Sequence, residues 1–206
     1  MKKNIILHAV RSVLCIMIFS AAVWAESAID SLNCHRIEAS WVYARSAYYY
    51  PVSSVAYDSP ELGVPLSLSA ALRAYGSYYF VSTKSFDVIA SASWHFPVVP
   101  HMLRLRTGAG GVLNARLYSD SRSTAESGFD PFLIFGADAS FDWWTVSLPA
   151  AMRFYRDGCG ISLIPDAALR FGTFGVFIRS EITMNARWSG TTQWTADHFA
   201  GLRMYL

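Results

Sequence analysis

Lysine is almost missing from this chain. Lys2, Lys3 and Lys84 are its only lysines, so arginine supplies nearly all of the 17 basic side chains among 206 residues. Long apolar runs are missing too. No stretch beyond the N-terminal leader approaches the roughly 18 apolar residues of a spanning helix, which excludes a membrane helix bundle. Yet 53% of the chain is hydrophobic, high for a soluble protein. Cysteine is scarce. Cys15 lies in the leader, and Cys34 and Cys159 remain, either as one disulfide or as two thiols. No cysteine–histidine spacing suggests zinc. Gly108, Gly110 and Gly111 do not form a phosphate loop. They fall inside a strand pattern, where glycine marks a bend or close packing. Surplus charge is absent as well: 17 bases face 15 acids, so no basic face exists to hold nucleic acid. No cofactor is expected.

The leader itself is informative. Lys2, Lys3 and Arg11 precede an apolar run from Val13 to Phe19, and Val23-Trp24-Ala25 follows. This is the pattern of a secretory signal peptide cleaved near Ala25, with an apolar run too short for an anchor. Residues 26–206 are then a single domain.

What fills that domain is alternation. In Phe86–Phe96, Phe86, Val88, Ala90, Ala92, Trp94 and Phe96 share one face, and Asp87, Ser91, Ser93 and His95 the other. Nine segments follow this rule, at about 37–49, 64–81, 86–96, 102–118, 129–141, 145–155, 161–172, 175–188 and 194–206. Ser82–Ser85, Asp157–Gly160 and Gly172–Gly175 read as turns. Pro97 and Pro100 end the third segment, and Pro149 counts against a regular ladder in the sixth. The expected fold is all-β: a transmembrane up-and-down antiparallel barrel of eight strands, or of ten if 64–81 is split.

Charge decides which way the barrel faces. Arg73, Arg104, Arg106, Arg116, Arg153, Arg170, Arg179, Arg187 and Arg203 fall on the polar faces, with Glu38, Asp87, Asp138, Asp166, Glu181 and Asp197. Only Arg45 and His198 intrude on the apolar faces. A lipid-facing arginine costs roughly 2–4 kcal/mol at the midplane, and that cost selects this distribution. A soluble barrel would hide its apolar face inside instead. Aromatics near segment ends (Trp41, Trp94, Trp143, Trp144, Trp188, Trp194) match interfacial girdles and favour lipid outside. The lumen is then an arginine–carboxylate network that includes His95. Nine bases against six acids leave an excess for water, loop acids or an anion to satisfy.

The chain ends Leu202-Arg203-Met204-Tyr205-Leu206, which resembles the terminal strand that the barrel-assembly machinery recognises. The pattern prefers a terminal aromatic, whereas here leucine is last and tyrosine penultimate. Leader, size and strand number together resemble the small eight-stranded outer-membrane proteins of the OmpX, OmpW and OmpA-transmembrane kind. The resemblance implies a location in the outer membrane of a Gram-negative-type envelope and a structural or surface role, with no enzymatic activity. Extracellular ligands or host molecules would meet the loops at 50–63, 119–128, 156–160 and 189–193. An OmpW-like channel for small or hydrophobic solutes is the alternative. A lipid-modifying enzyme is the remote one. Such barrels use histidine with serine and an acid; His198 lies near Trp194, but no serine stands two residues away.

Overall fold

The computed structural model describes residues 32–45, 52–75, 83–118 and 125–206, so the leader lies outside the described residues. Among the described residues eleven strands form: β1 (Arg36–Arg45), β2 (Val52–Asp58), β3 (Leu66–Tyr75), β4 (Thr83–Val99), β5 (Leu103–Tyr118), β6 (Ala125–Phe141), β7 (Trp144–Tyr155), β8 (Gly158–Leu163), β9 (Asp166–Phe171), β10 (Phe174–Arg187) and β11 (Thr192–Tyr205). Each pairs antiparallel with its neighbours, and β11 returns to β1, closing a barrel. His35 and Leu206 exchange backbone hydrogen bonds of 3.0 and 2.9 Å just beyond that seam.

β8 and β9 are one stave of the wall. Both lie between β7 and β10, and the register is unchanged across the gap between them. The gap falls at Ile164–Pro165, beside Pro149 of β7, and proline has no N–H to give a ladder. The barrel therefore has ten staves, and the expectation of eight is corrected. The tenth is β2, which lies in the segment expected as a loop at 50–63; no split of 64–81 is involved. Pro149 interrupts the pairing without ending its strand. The strands also run further than their expected limits. β4 takes in Thr83–Ser85 and passes Pro97 through a register shift, β6 starts at Ala125, and Gly158–Gly160 belong to β8.

Closure can be followed partner by partner. Tyr205 pairs with Arg36, then come Asp58, Ser69, Ser91, Gly110, Phe132, Arg153, Gly160, Asn185 and finally Gln193. One circuit thus returns to β11 twelve residues from where it began. With ten staves, that stagger tilts the strands by about 40° to the axis. It also makes the barrel wider than an eight-stranded one, whose interior its own side chains just fill.

The two faces of the wall differ as the alternation requires. Outward positions carry Ile37, Val55, Leu72, Leu113, Phe135, Leu148, Leu169 and Ile178, all exposed. Inward positions carry the buried Glu38, Asp87, His95, Asp138, Asp166 and Arg203. Phe96, Phe141, Trp143, Trp144 and Phe171 gather at the rim where β1 begins and β11 ends, here the terminal rim, where Phe141 stacks on Trp144 at 4.5 Å. Phe154, Trp188 and Trp194 lie toward the opposite, far rim.

Of the loops expected to carry surface function, two shrink. Arg156–Asp157 is the whole β7–β8 turn, and only residues 188–191 join β10 to β11, both at the far rim. Residues 59–65 join β2 to β3 at the terminal rim. Residues 46–51, 76–82 and 119–124 lie outside the described residues.

Candidate functional site: an ionic lumen with a cavity

The inward faces of β1, β9, β10 and β11 bring four charged groups to one level. Glu38 accepts from Arg179 at 2.7 Å, lies 2.7 Å from Arg203 and 3.2 Å from Arg36. Asp166 accepts from Arg203 at 2.9 Å through both oxygens and from Arg179 at 3.1 Å. Two carboxylates thus bridge two guanidiniums in a ring, with Arg179 using Nε toward Asp166 and Nη2 toward Glu38, as its planar fork allows. Phe177 lies under both guanidiniums, 4.6 Å from Arg203 and 5.0 Å from Arg179. Gly201 makes room for it, since a Cβ there would stand 2.7 Å from the Phe177 ring.

Further polar contacts lie towards the terminal rim. Arg36 donates to Asp58 at 2.8 Å. Arg104 donates to Asp138 at 3.3 Å, with Arg106 at 3.8 Å. His95 meets Ser67 at 2.6 Å, and Arg170 lies over the ring of Tyr205. Arg203, Tyr205 and His95 are at most 2% exposed.

Towards the far rim a looser set forms. Arg73 pairs with Glu181 at 3.0 Å, Tyr75 donates to Asp87 at 2.7 Å, and Asp130 accepts from Arg153 at 2.6 Å and Asn114 at 2.8 Å. A cavity of about 390 Å³ runs along the lumen past both sets, from Arg36, Asp58 and Arg106 to Asn185 and Thr195, with Ile89, Val112, Phe132 and Ile134 on its wall. The extra width of ten staves leaves this space.

Of the expected lumen residues, Arg73, Asp87, His95, Arg104, Arg106, Asp138, Arg153, Asp166, Arg170, Arg179, Glu181, Asp197 and Arg203 face inward. Arg187 does not join them. It sits at the far rim, 68% exposed, 3.6 Å from an equally open Asp157. The side chain of Arg116 lies outside the described residues. Three members were missed: Arg36, Asp58 and Asp130. Arg36 directly precedes the first segment, Asp58 sits in the unrecognised β2, and Asp130 opens the inward register of the fifth segment. With them, the described inward side chains comprise Arg36, Arg73, Arg104, Arg106, Arg153, Arg170, Arg179 and Arg203 against Glu38, Asp58, Asp87, Asp130, Asp138, Asp166, Glu181 and Asp197. The expected excess of arginine is replaced by parity.

No disulfide joins Cys34 to Cys159, and the strands separate them. Cys34 precedes β1 at the terminal rim, and Cys159 follows the β7–β8 turn at the far one. Bridged cysteines need Cα atoms within about 7 Å. Unreduced protein is therefore expected to keep the mass of two thiols; an intramolecular link found by peptide mapping would contradict this strand order.

Fold and lumen together define a closed, ten-stave antiparallel β-barrel, apolar outside and ionic within. No protein-family model matches the chain, and no curated protein matches its sequence. Among solved structures, the crystal structure of Neisserial surface protein A (NspA) is similar at 11% identity and a TM-score of 0.44, over 85% of this chain and 98% of that one. At that identity and score the likeness assigns neither family nor role.

Proposed function

We propose that this is an integral outer-membrane barrel with a structural or surface-interaction role, its lumen closed to free diffusion. One observation carries the reading: exposed aliphatic and aromatic side chains ring the outer wall, while the described Asp, Glu and Arg side chains of the strands turn inward, Arg187 at the far rim excepted. An apolar surface of this extent is unstable in water and matches acyl chains. Strands of 10 residues and more, such as β1 and β3, suffice to cross a bilayer at this tilt. The exported leader and the alternating β11 fit delivery to the barrel-assembly machinery. The terminal rim then faces the periplasm and the far rim the exterior, where ligands or host molecules would meet it.

The expected behaviour is twofold. Folded protein stays in solution only with detergent or lipid, and purified protein in planar bilayers passes no steady current. Solubility without detergent would end the membrane reading. A second reading, a narrow conduit for small solutes, draws on the 390 Å³ cavity and would replace the first if sustained channel events appeared. Closed records remove the conduit and leave the structural role.

A further inference from the structure

The outer wall carries one polar pair whose chemistry the lumen does not explain. Ser180 of β10 and His198 of β11 stand directly opposite in the ladder, both on the outward register. Ser180 Oγ lies 2.8 Å from His198 Nδ1. Their outward neighbours on the same strands are Ile178, Ile182, Ala196 and Ala200. An ionisable group on a lipid face is costly, and where one persists with a named partner it marks function. A serine hydroxyl within hydrogen-bond reach of an imidazole is the arrangement that activates a weak nucleophile.

The wall is irregular on both sides of the pair. The register of β1 against β11 shifts between Val42 and Ala44, and Ala44 is the partner of His198. On the other side, Ser180 N–H donates to Pro165 O at 2.9 Å, and Pro165 has no N–H to return. Bulges release main-chain groups from a ladder and are over-represented beside active sites. His198 lies four residues from Trp194 on β11, about 10 Å along the axis at this tilt. That puts the pair in the half of the apolar band nearer the far rim, beneath the level Trp194 marks.

We propose that Ser180 and His198 act as nucleophile and base on an ester-linked acyl chain of a membrane lipid. The inference rests on the membrane reading above. Ser180 Oγ adds to the ester carbonyl carbon while its proton passes to Nδ1 of His198. The adduct collapses, the bond from carbonyl carbon to alcohol oxygen breaks, and His198 returns the proton to that oxygen. The acyl group is left on Ser180. Water, deprotonated by the same nitrogen, then releases the chain as a fatty acid and restores the hydroxyl.

The test uses full-length protein in detergent micelles and a long-chain fluorophosphonate, with the labelled residue mapped by mass spectrometry. The phosphonyl group is expected on Ser180, absent in Ser180→Ala and formed at least about 100-fold more slowly in His198→Gln. Fatty-acid release is then measured from vesicles of diacyl glycerophospholipid and, separately, of acylated-saccharide lipid. The arm that releases fatty acid names the source of the ester. An unlabelled Ser180 in wild-type protein that migrates as a folded barrel overturns the proposal and needs no variant to fold. Undiminished labelling in His198→Gln overturns it as well, as does labelling without release from either vesicle. If instead the protein does not enter vesicles at all, it is the membrane reading that has failed.

Discussion

Glu38→Ala is expected to lower the folding stability of the barrel by about 3–5 kcal/mol, the usual effect of removing one partner from a buried ionic set. Glu38 is 2% exposed and stands within 3.2 Å of three guanidiniums. Without it, Asp166 alone must neutralise Arg179 and Arg203, while Arg36 keeps Asp58. The loss comes from stranded positive charge more than from missing attraction. Urea unfolding in detergent or lipid vesicles reads it as a lower midpoint at unchanged slope. Glu38→Gln, which keeps an acceptor but not the charge, should fall between wild type and alanine. A loss under about 1 kcal/mol for alanine would mean that water already screens these groups.

Ile178→Arg should cost about 2–4 kcal/mol, because it sets a guanidinium near the middle of the lipid-facing band. Ile178 is 60% exposed on the outer wall. Trp188→Arg, at the far rim, should cost only about 0–1 kcal/mol, since the penalty falls with distance from the midplane. The contrast separates lipid from water as the outer medium. In water, an arginine at position 178 would be neutral or helpful, and the two substitutions would not differ.

Nine of the ten staves were legible because each alternates cleanly over enough residues to show a period of two. β2 was not. Its outward set is Ser53, Val55 and Tyr57, and its inward set Val52, Ser54, Ala56 and Asp58, so apolar and polar residues mix on both faces over only seven positions. Missing β2 also hid Asp58, and with it part of the charge balance. The break at Ile164–Pro165 was invisible for a different reason. That Pro149 faces Ile164, one rung from Pro165, is a fact of register, and register is not written along a single segment.

The same limit governs the sites. Which residues turn inward follows from parity, and parity is local. Which of them touch does not: Glu38 and Arg179 are 141 positions apart, and the order of the staves alone makes them neighbours. Ser180 and His198 illustrate it on the outer face. Their separation of 18 positions resembles no short motif, yet one ladder rung joins them.

The ring of Glu38, Asp166, Arg179 and Arg203 also has a kinetic meaning. Its members come from β1 and from β9, β10 and β11, the two extremes of the chain, so none of the β1 contacts can form in an open sheet. Until the seam shuts, Arg179 and Arg203 have only Asp166 between them. Zipping the seam and quenching that charge are therefore one event, and a slow one, because it joins the most distant parts of the sequence. The ring works as a latch that rewards only the fully wrapped cylinder and leaves a half-curled intermediate short of its counter-charge.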